Sequence, residues 1–196
     1  PSSPFANSNF ELLPAEQVDS YELGFKTALA DRTIFLDGAI FYYQYDNFQT
    51  TIQVGTQFIT TNAGKAENYG FEGQVRWAPS DVFSLFATYG YNHGRFKTGV
   101  REGNHFRLNP DHSAAIGAVV AIPAGSGTIS FSPSYSVQSK IFFDDDNDRT
   151  DLQQSPAALV PDNIRDEFQD GYGLLNARLG YAGADDQWRV EIFTEN

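Results

Sequence analysis

The chain has 196 residues and a formal net charge of −12, which excludes nucleic acid as a partner because phosphate binding needs a basic face. It carries 17 Phe and 10 Tyr but no Met and no Cys. Rings of this kind suit a pleated surface and lean the composition towards all-β structure, while the missing Cys excludes disulfide frameworks and Cys-ligated metal. The acidic balance also argues against docking on an anionic membrane through a polybasic patch.

The opening Pro1-Ser2-Ser3-Pro4 has neither a basic start nor an apolar core, so a signal peptide is expected to be absent or already removed. The longest apolar stretch, Ala114 to Ala124, is broken by Gly117 and Pro123 and falls short of the ~20 residues a spanning helix needs. A spanning β-strand gives a much weaker hydropathy signal, so that shortfall does not exclude a membrane protein.

Periodicity predicts eight strands and no helix. Residues 1–18 read as a loop leading into the first strand, Ser20 to Ala30, with Tyr21, Leu23, Phe25 and Leu29 on one face and Glu22, Gly24 and Lys26 on the other. A tight turn at Ala30-Asp31-Arg32 precedes a long aromatic strand, Thr33 to Gln49, whose faces are both mixed and cannot be assigned from alternation. In the third strand Tyr69, Phe71, Val75 and Trp77 alternate with Glu72, Gln74 and Arg76. After Pro79-Ser80-Asp81, the fourth sets Phe83, Leu85, Ala87, Tyr89 and Tyr91 against Ser84, Thr88 and Asn92. These two are the clearest period-2 patterns.

The fifth strand, His112 to Ile122, is built of small and β-branched residues. A turn at Pro123 to Gly127 leads to the sixth, where Ile129, Phe131, Tyr135 and Val137 alternate with four serines. The seventh spans Asp170 to Ala182, and the eighth starts near Gln187 with Trp188, Val190 and Ile192 on one face. Connections near Asp31, Ser80, Ala124 and Ala184 are short. Those at Thr50 to Thr56, Lys97 to Asn109 and the acidic Asp144 to Gln169 are long, the last within a long outer loop over 142–169. Alternating short and long connections mark up-and-down outer-membrane barrels. Most of the strands also reach the ~9–11 residues that cross a bilayer at a tilt, and their turns are sparser than the ~8–12-residue spacing of a soluble sandwich. The expected fold is therefore an antiparallel up-and-down transmembrane β-barrel segment of about eight strands, incomplete.

Several stretches resemble a known family. Leu13-Pro14-Ala15-Glu16 followed by Ser20-Tyr21-Glu22-Leu23-Gly24-Phe25-Lys26-Thr27, then Gly38 to Asp46, are similar to the barrel of TonB-dependent outer-membrane receptors. Asn62-Ala63-Gly64-Lys65-Ala66-Glu67-Asn68-Tyr69-Gly70-Phe71-Glu72 resembles a segment entering a barrel strand of that family, and Gly171 to Arg178 with Trp188 resembles strands near its C-terminus. The resemblance implies the C-terminal part of a plugged barrel of roughly 22 strands, in a fragment lacking the plug and the last strands. It further implies import of a scarce nutrient such as a ferric siderophore across the outer membrane of a Gram-negative bacterium. Implied partners are outer-membrane lipid and lipopolysaccharide, the receptor's own plug domain and the TonB complex. No cofactor and no enzymatic chemistry are implied.

On this reading Glu22, Lys26, Glu72, Gln74 and Arg76 face the lumen as a charge-and-amide lattice that wets the interior and grips the plug. Tyr43, Tyr45, Tyr89 and Tyr91 towards the outer strand ends, and Trp77, Tyr181 and Trp188 near the short turns, are expected as two interfacial girdles. The run Asp144-Asp145-Asp146-Asn147-Asp148-Arg149-Thr150-Asp151 invites a calcium reading. Arg149 and Ser155 stand where an EF-hand loop wants Gly and Glu, so the run reads as a solvated loop, with weak divalent binding left open. His93, His105 and His112 lack metal spacing, and no nucleophile elbow or phosphate loop is present. A complete small outer-membrane barrel, a porin and a soluble β-sandwich carbohydrate-binding module are the alternatives.

Overall fold

The computed structural model describes residues 12–54, 57–152, 164–184 and 187–196, without side chains at 52–54, 57 and 58. Twelve strands occur among them: β1 Gln17–Leu29, β2 Ile34–Asp46, β3 Gln49–Val54, β4 Gln57–Asn62, β5 Ala66–Ser80, β6 Phe83–Phe96, β7 His112–Ala124, β8 Gly127–Gln138, β9 Ile141–Phe142, β10 Phe168–Gln169, β11 Tyr172–Ala182 and β12 Arg189–Thr194. Eight of these form one antiparallel up-and-down sheet in the order β1-β2-β5-β6-β7-β8-β11-β12. The sheet does not close, and β1 and β12 are its two edges. The fold is all-β, as the alternation predicts.

The long strands β1 and β2 have 13 residues each and β5 has 15. At ~3.3 Å per residue a strand of 13 residues is roughly 43 Å long, and tilted by ~40° it rises roughly 33 Å, past an apolar band ~25 Å tall.

The short turns are tight. Thr33 N–H donates to the Ala30 carbonyl at 3.0 Å, with Ala30, Asp31 and Arg32 at φ of 50°, 53° and 68°. Between β5 and β6 the register shifts from Trp77 to Ser80, around Pro79, which has no N–H to give the ladder. Pro133 inside β8 interrupts the pairing with β7 without shifting it: the ladder passes from Gly117↔Ser134 directly to Val120↔Phe131 in the same register.

Two connections are more ordered than their composition suggests. The long one after β2 carries the β3–β4 hairpin, with Gln49↔Asn62 and Ile52↔Ile59 in register. The aromatic second strand thus stops at Asp46, and Gln49 begins the hairpin. The acidic connection contains the short β9–β10 pair, Phe142↔Phe168.

Burial follows an unusual plan. Apolar side chains of the sheet stay exposed, Leu23 at 71% and Ile192 at 70%. The buried side chains among the described residues are Thr50, Ala63, Ala66, Phe96, Asn104, Asp145, Asp148 and Ala182. All but Ala182 lie at the long-connection end. The wall has no core of its own. Rings lying over glycines of neighbouring strands pack it instead: Phe25 over Gly38, Phe41 over Gly70, Phe86 over Gly117 and Tyr135 over Gly173. A ring covering a bare backbone restores packing that glycine gives up and pins register.

Candidate functional site

Directly paired residues share a face of a sheet, so the registers separate the two faces. One face is apolar across every strand. Leu23↔Ile40↔Phe71↔Tyr91 runs through β1, β2, β5 and β6, and Phe131↔Leu179↔Ile192 continues it through β8, β11 and β12. Trp77 and Tyr89 lie on it, paired with Ile34 and with Ala114. So does Tyr181, paired with Ile129 and Val190, and Trp188 packs on the Tyr181 ring at 5.4 Å.

The opposite face is polar. Lys26↔Asp37↔Gln74↔Thr88 forms one row, in which the Gln74 amide donates to Asp37 at 2.6 Å. Glu22 accepts a hydrogen bond from the Tyr43 hydroxyl, and the Arg76 guanidinium lies over the Phe35 ring at 4.7 Å. Glu72 pairs with Ala39 and Gly90. The structure therefore places Glu22 and Lys26 of β1 and Glu72, Gln74 and Arg76 of β5 on one face, with β2 between the two strands. Lys26, Asp37, Glu72, Gln74, Thr88 and Ser113 border an open depression of about 630 Å³. Asp37 was missed by alternation because β2 is aromatic on both faces; pairing β2 back across the tight turn at Ala30 to Thr33 would have assigned it. At the far edge Arg178 and Glu191, 3.6 Å apart, extend the polar face.

The seven aromatics grouped in the sequence do not stay together. Tyr43 pairs with Asn68 and Tyr45 with Ala66, which puts both on the polar face, opposite Tyr89, Tyr91, Trp77 and Tyr181. At the long-connection end of the apolar face a ladder of rings forms instead. Tyr69 lies 4.8 Å from His93, Tyr91 lies 5.1 Å from His112, and the Tyr89 hydroxyl meets His112 Nδ1 at 2.8 Å. The histidines His93 and His112 are parts of this ladder.

Beyond the ladder stand three ion pairs: Lys65–Asp46 at 2.9 Å, Lys97–Glu67 at 2.8 Å and Arg95–Asp111 at 2.8 Å. Burial alone would raise the Asp111 pKa, but the hydrogen bonds and charge of Arg95, with His105 and His93, hold it below the usual carboxylate range. Burial first, and then the Arg95 charge, lowers the pKa of His105, whose Nδ1 lies 3.5 Å from Asp111.

On the polar side of this end Tyr45, Phe48, Phe96 and Phe106 pack edge-on and stacked at 5.1 to 5.9 Å around Ala63 and Ala66. The acidic run folds onto them and is no solvated loop. Asp145 accepts from the Thr50 hydroxyl and from Arg107 N–H, and the Asn104 amide donates to the carbonyls of Asp145 and Asp146. No group of three or more His, Cys, Asp or Glu able to hold a metal ion occurs among the described residues.

The family model described as "TonB dependent receptor-like, beta-barrel" matches residues 1–196. No curated protein sequence matches the chain. Among solved structures, the ferric yersiniabactin uptake receptor FyuA of Yersinia pestis is similar with a TM-score of 0.71 at 21% identity, over 92% of this chain and 24% of that one. The ferric preacinetobactin receptor BauA of Acinetobacter baumannii gives 0.64 at 17% identity, over 93% and 25%. The ferric-catecholate import receptor Fiu of K12 E. coli gives 0.58 at 19% identity, over 85% and 21%. These likenesses are of fold, and the chain spans about a quarter of the length of the structures it matches.

Proposed function

The chain belongs to the TonB-dependent receptor β-barrel family, and from that premise we propose that it forms part of the wall and outer loops of an energy-coupled importer of a scarce nutrient such as a ferric siderophore. Members of this family are outer-membrane transporters of Gram-negative bacteria rather than enzymes. The observation that carries the reading is the two-faced sheet. Its apolar face is continuous from β1 to β12 and has no partner among the described residues. Water does not tolerate an exposed apolar surface of this extent on a monomer, whereas lipid requires it of a barrel exterior. Lipid likewise requires every main-chain group to be paired, so the free edges of β1 and β12 would be covered by further strands of the same barrel.

The polar face would then line the lumen, with Glu22, Lys26, Asp37, Glu72, Gln74 and Arg76 holding the plug domain through charge and amide contacts. Tyr89, Tyr91, Trp77, Tyr181 and Trp188 would sit at the two lipid boundaries, next to lipopolysaccharide on the outer side. Tyr43 and Tyr45 would belong to the lumen. Energy would reach the substrate through the TonB complex acting on the plug, and this wall would supply a fixed frame without chemistry.

Nitroxide labels on single cysteines test the assignment in the intact receptor, and this chain contributes no competing thiol. Labels at Leu23→Cys, Ile40→Cys and Phe71→Cys are expected to be relaxed by oxygen dissolved in the bilayer. Labels at Glu22→Cys, Asp37→Cys and Gln74→Cys are expected to escape it. Equal relaxation of both sets, or relaxation of the first set by a water-confined nickel chelate, overturns the proposal.

A further inference from the structure

The acidic run at Asp144 to Asp151 has the composition of a cation site, yet Asp144 to Asn147 turn their side chains inward and hold backbone. Asp144 Oδ1 accepts from Asp145 N–H at 2.6 Å, and Asp146 Oδ1 accepts from Asp148 N–H at 2.9 Å. Asp145, 4% exposed, takes Thr50 on one oxygen and Arg107 N–H on the other. Asn147 acts as a piece of neighbouring strand: its Oδ1 accepts from His105 N–H at 2.5 Å and its Nδ2 donates to the His105 carbonyl at 2.9 Å. From further along, the Arg149 guanidinium reaches the Val100 carbonyl and Asn104 Oδ1, each at 3.3 Å.

Three connections far apart in sequence meet here. The Thr50–Asp145 bond joins the start of the β3–β4 hairpin to the acidic run across 95 residues. Residues 103–111 are laid back along β6 by Gly103 N–H to Phe96 O at 2.9 Å, Phe106 N–H to Gly94 O at 3.3 Å and Asn92 N–H to Asp111 O at 2.9 Å. Beneath them lies the aromatic cluster of Tyr45, Phe48, Phe96 and Phe106. Local stability in proteins tracks buried contacts and protected hydrogen bonds, and by that measure this end is the best-packed part of the described chain.

We infer that the described parts of these three connections, 47–51 with 59–65, 97–111 and 144–152, form one preassembled cap, with the acidic run as its latch, so that this part stands as a fixed rim of the mouth and does not open and close over it. The word mouth rests on the barrel reading above; the rigidity does not.

The test is made on the ligand-free intact receptor in detergent. Hydrogen exchange at His105, Arg107, Asp145 and Asp148 is expected to be slow, because the N–H of each is held by a side chain. Spin labels at the exposed positions Val100→Cys and Phe143→Cys are expected to give one narrow distance distribution. Asn147→Ala is expected to speed exchange at His105 about tenfold or more, as loss of a buried partner does, and to broaden the distribution while leaving strand amides of β5 protected. Exchange at open-loop rates in the unsubstituted receptor, or a broad distribution there, overturns the inference whatever the variant does. Loss of β5 protection together with narrow distances would instead contradict the barrel reading.

Discussion

The Phe41 ring lies over Gly70 on the neighbouring strand, and the main-chain carbonyl of Tyr91 approaches the same glycine from β6. A methyl group at Gly70 would collide with both, and a main-chain carbonyl in a paired strand has little room to retreat. Gly73, three residues on in β5, has only the Asp37 carbonyl near, at 3.7 Å. Gly70→Ala is therefore expected to cut the yield of assembled barrel several-fold, and Gly73→Ala to leave it unchanged. The heat-modifiable band on unboiled gels measures this. Equal behaviour of the two variants would show that the ring-over-glycine contact does not set the β2–β5–β6 register.

The cap should loosen in acid. Burial, followed by the Arg95 charge, lowers the His105 pKa from its ordinary 6.5, so folding favours the neutral ring. That contribution is fully present above pH 6.5 and is lost as pH falls through the depressed folded value. Asp111, held low by Arg95 against its own burial, has the same sign in a lower window. Its contribution is present above 3.8 and lost as pH falls through its folded pKa. Asp146 opposes both: burial raises its pKa, and its contribution fades as pH rises through the raised value. Acidification from pH 7.5 to 5 should thus lower the protection factors of residues 104–107 through His105 first. His105→Gln should remove this loss of protection and leave only the opposite trend from Asp146, and pH-independent protection in the unsubstituted protein would contradict it.

The polar face gives a prediction for the plug. Glu22 and Glu72 sit on β1 and β5 with Ala39 and Phe41 between them. If they grip the plug by charge-assisted hydrogen bonds, each of order 1.5–3 kcal/mol, then Glu22→Gln with Glu72→Gln should lower the urea concentration at which plug release opens a pore. Currents across planar bilayers would record it. An unchanged threshold would mean that neither carboxylate reaches the plug.

Sequence carries the wall well and the cap poorly, for a physical reason. Strands such as β5 and β6 alternate because one face is apolar and the other polar, and the short connection at Pro79-Ser80-Asp81 marks where one ends and the next begins. In β2, Phe35, Phe41, Tyr43 and Tyr45 put rings on the polar face as well, Phe41 covering Gly70, and alternation loses its meaning there. The cap depends on pairs such as Thr50 with Asp145 and Asn147 with His105. A buried Asp that holds main-chain N–H groups has the same composition as a solvated one, so nothing local announces it. The β3–β4 hairpin was hidden likewise, since Thr50 to Thr56 reads as polar loop.

The division of the aromatics offers a last prediction, because Tyr43 and Tyr91 have similar sequence surroundings and opposite placements. Tyr43 pairs with Asn68 and donates to Glu22. Tyr91 pairs with Phe71 and His112, in the ring ladder at the end of the apolar face. A small fluorophore on Tyr91→Cys should be quenched by lipids brominated high on the acyl chain, and less by lipids brominated near the chain end, because the ladder stands at the outer boundary. The same fluorophore on Tyr43→Cys should be quenched by neither. Quenching of both would mean that the β2 register slips by one residue, which moves every side chain of that strand to the other face and would part Tyr43 from Glu22 and Asp37 from Gln74.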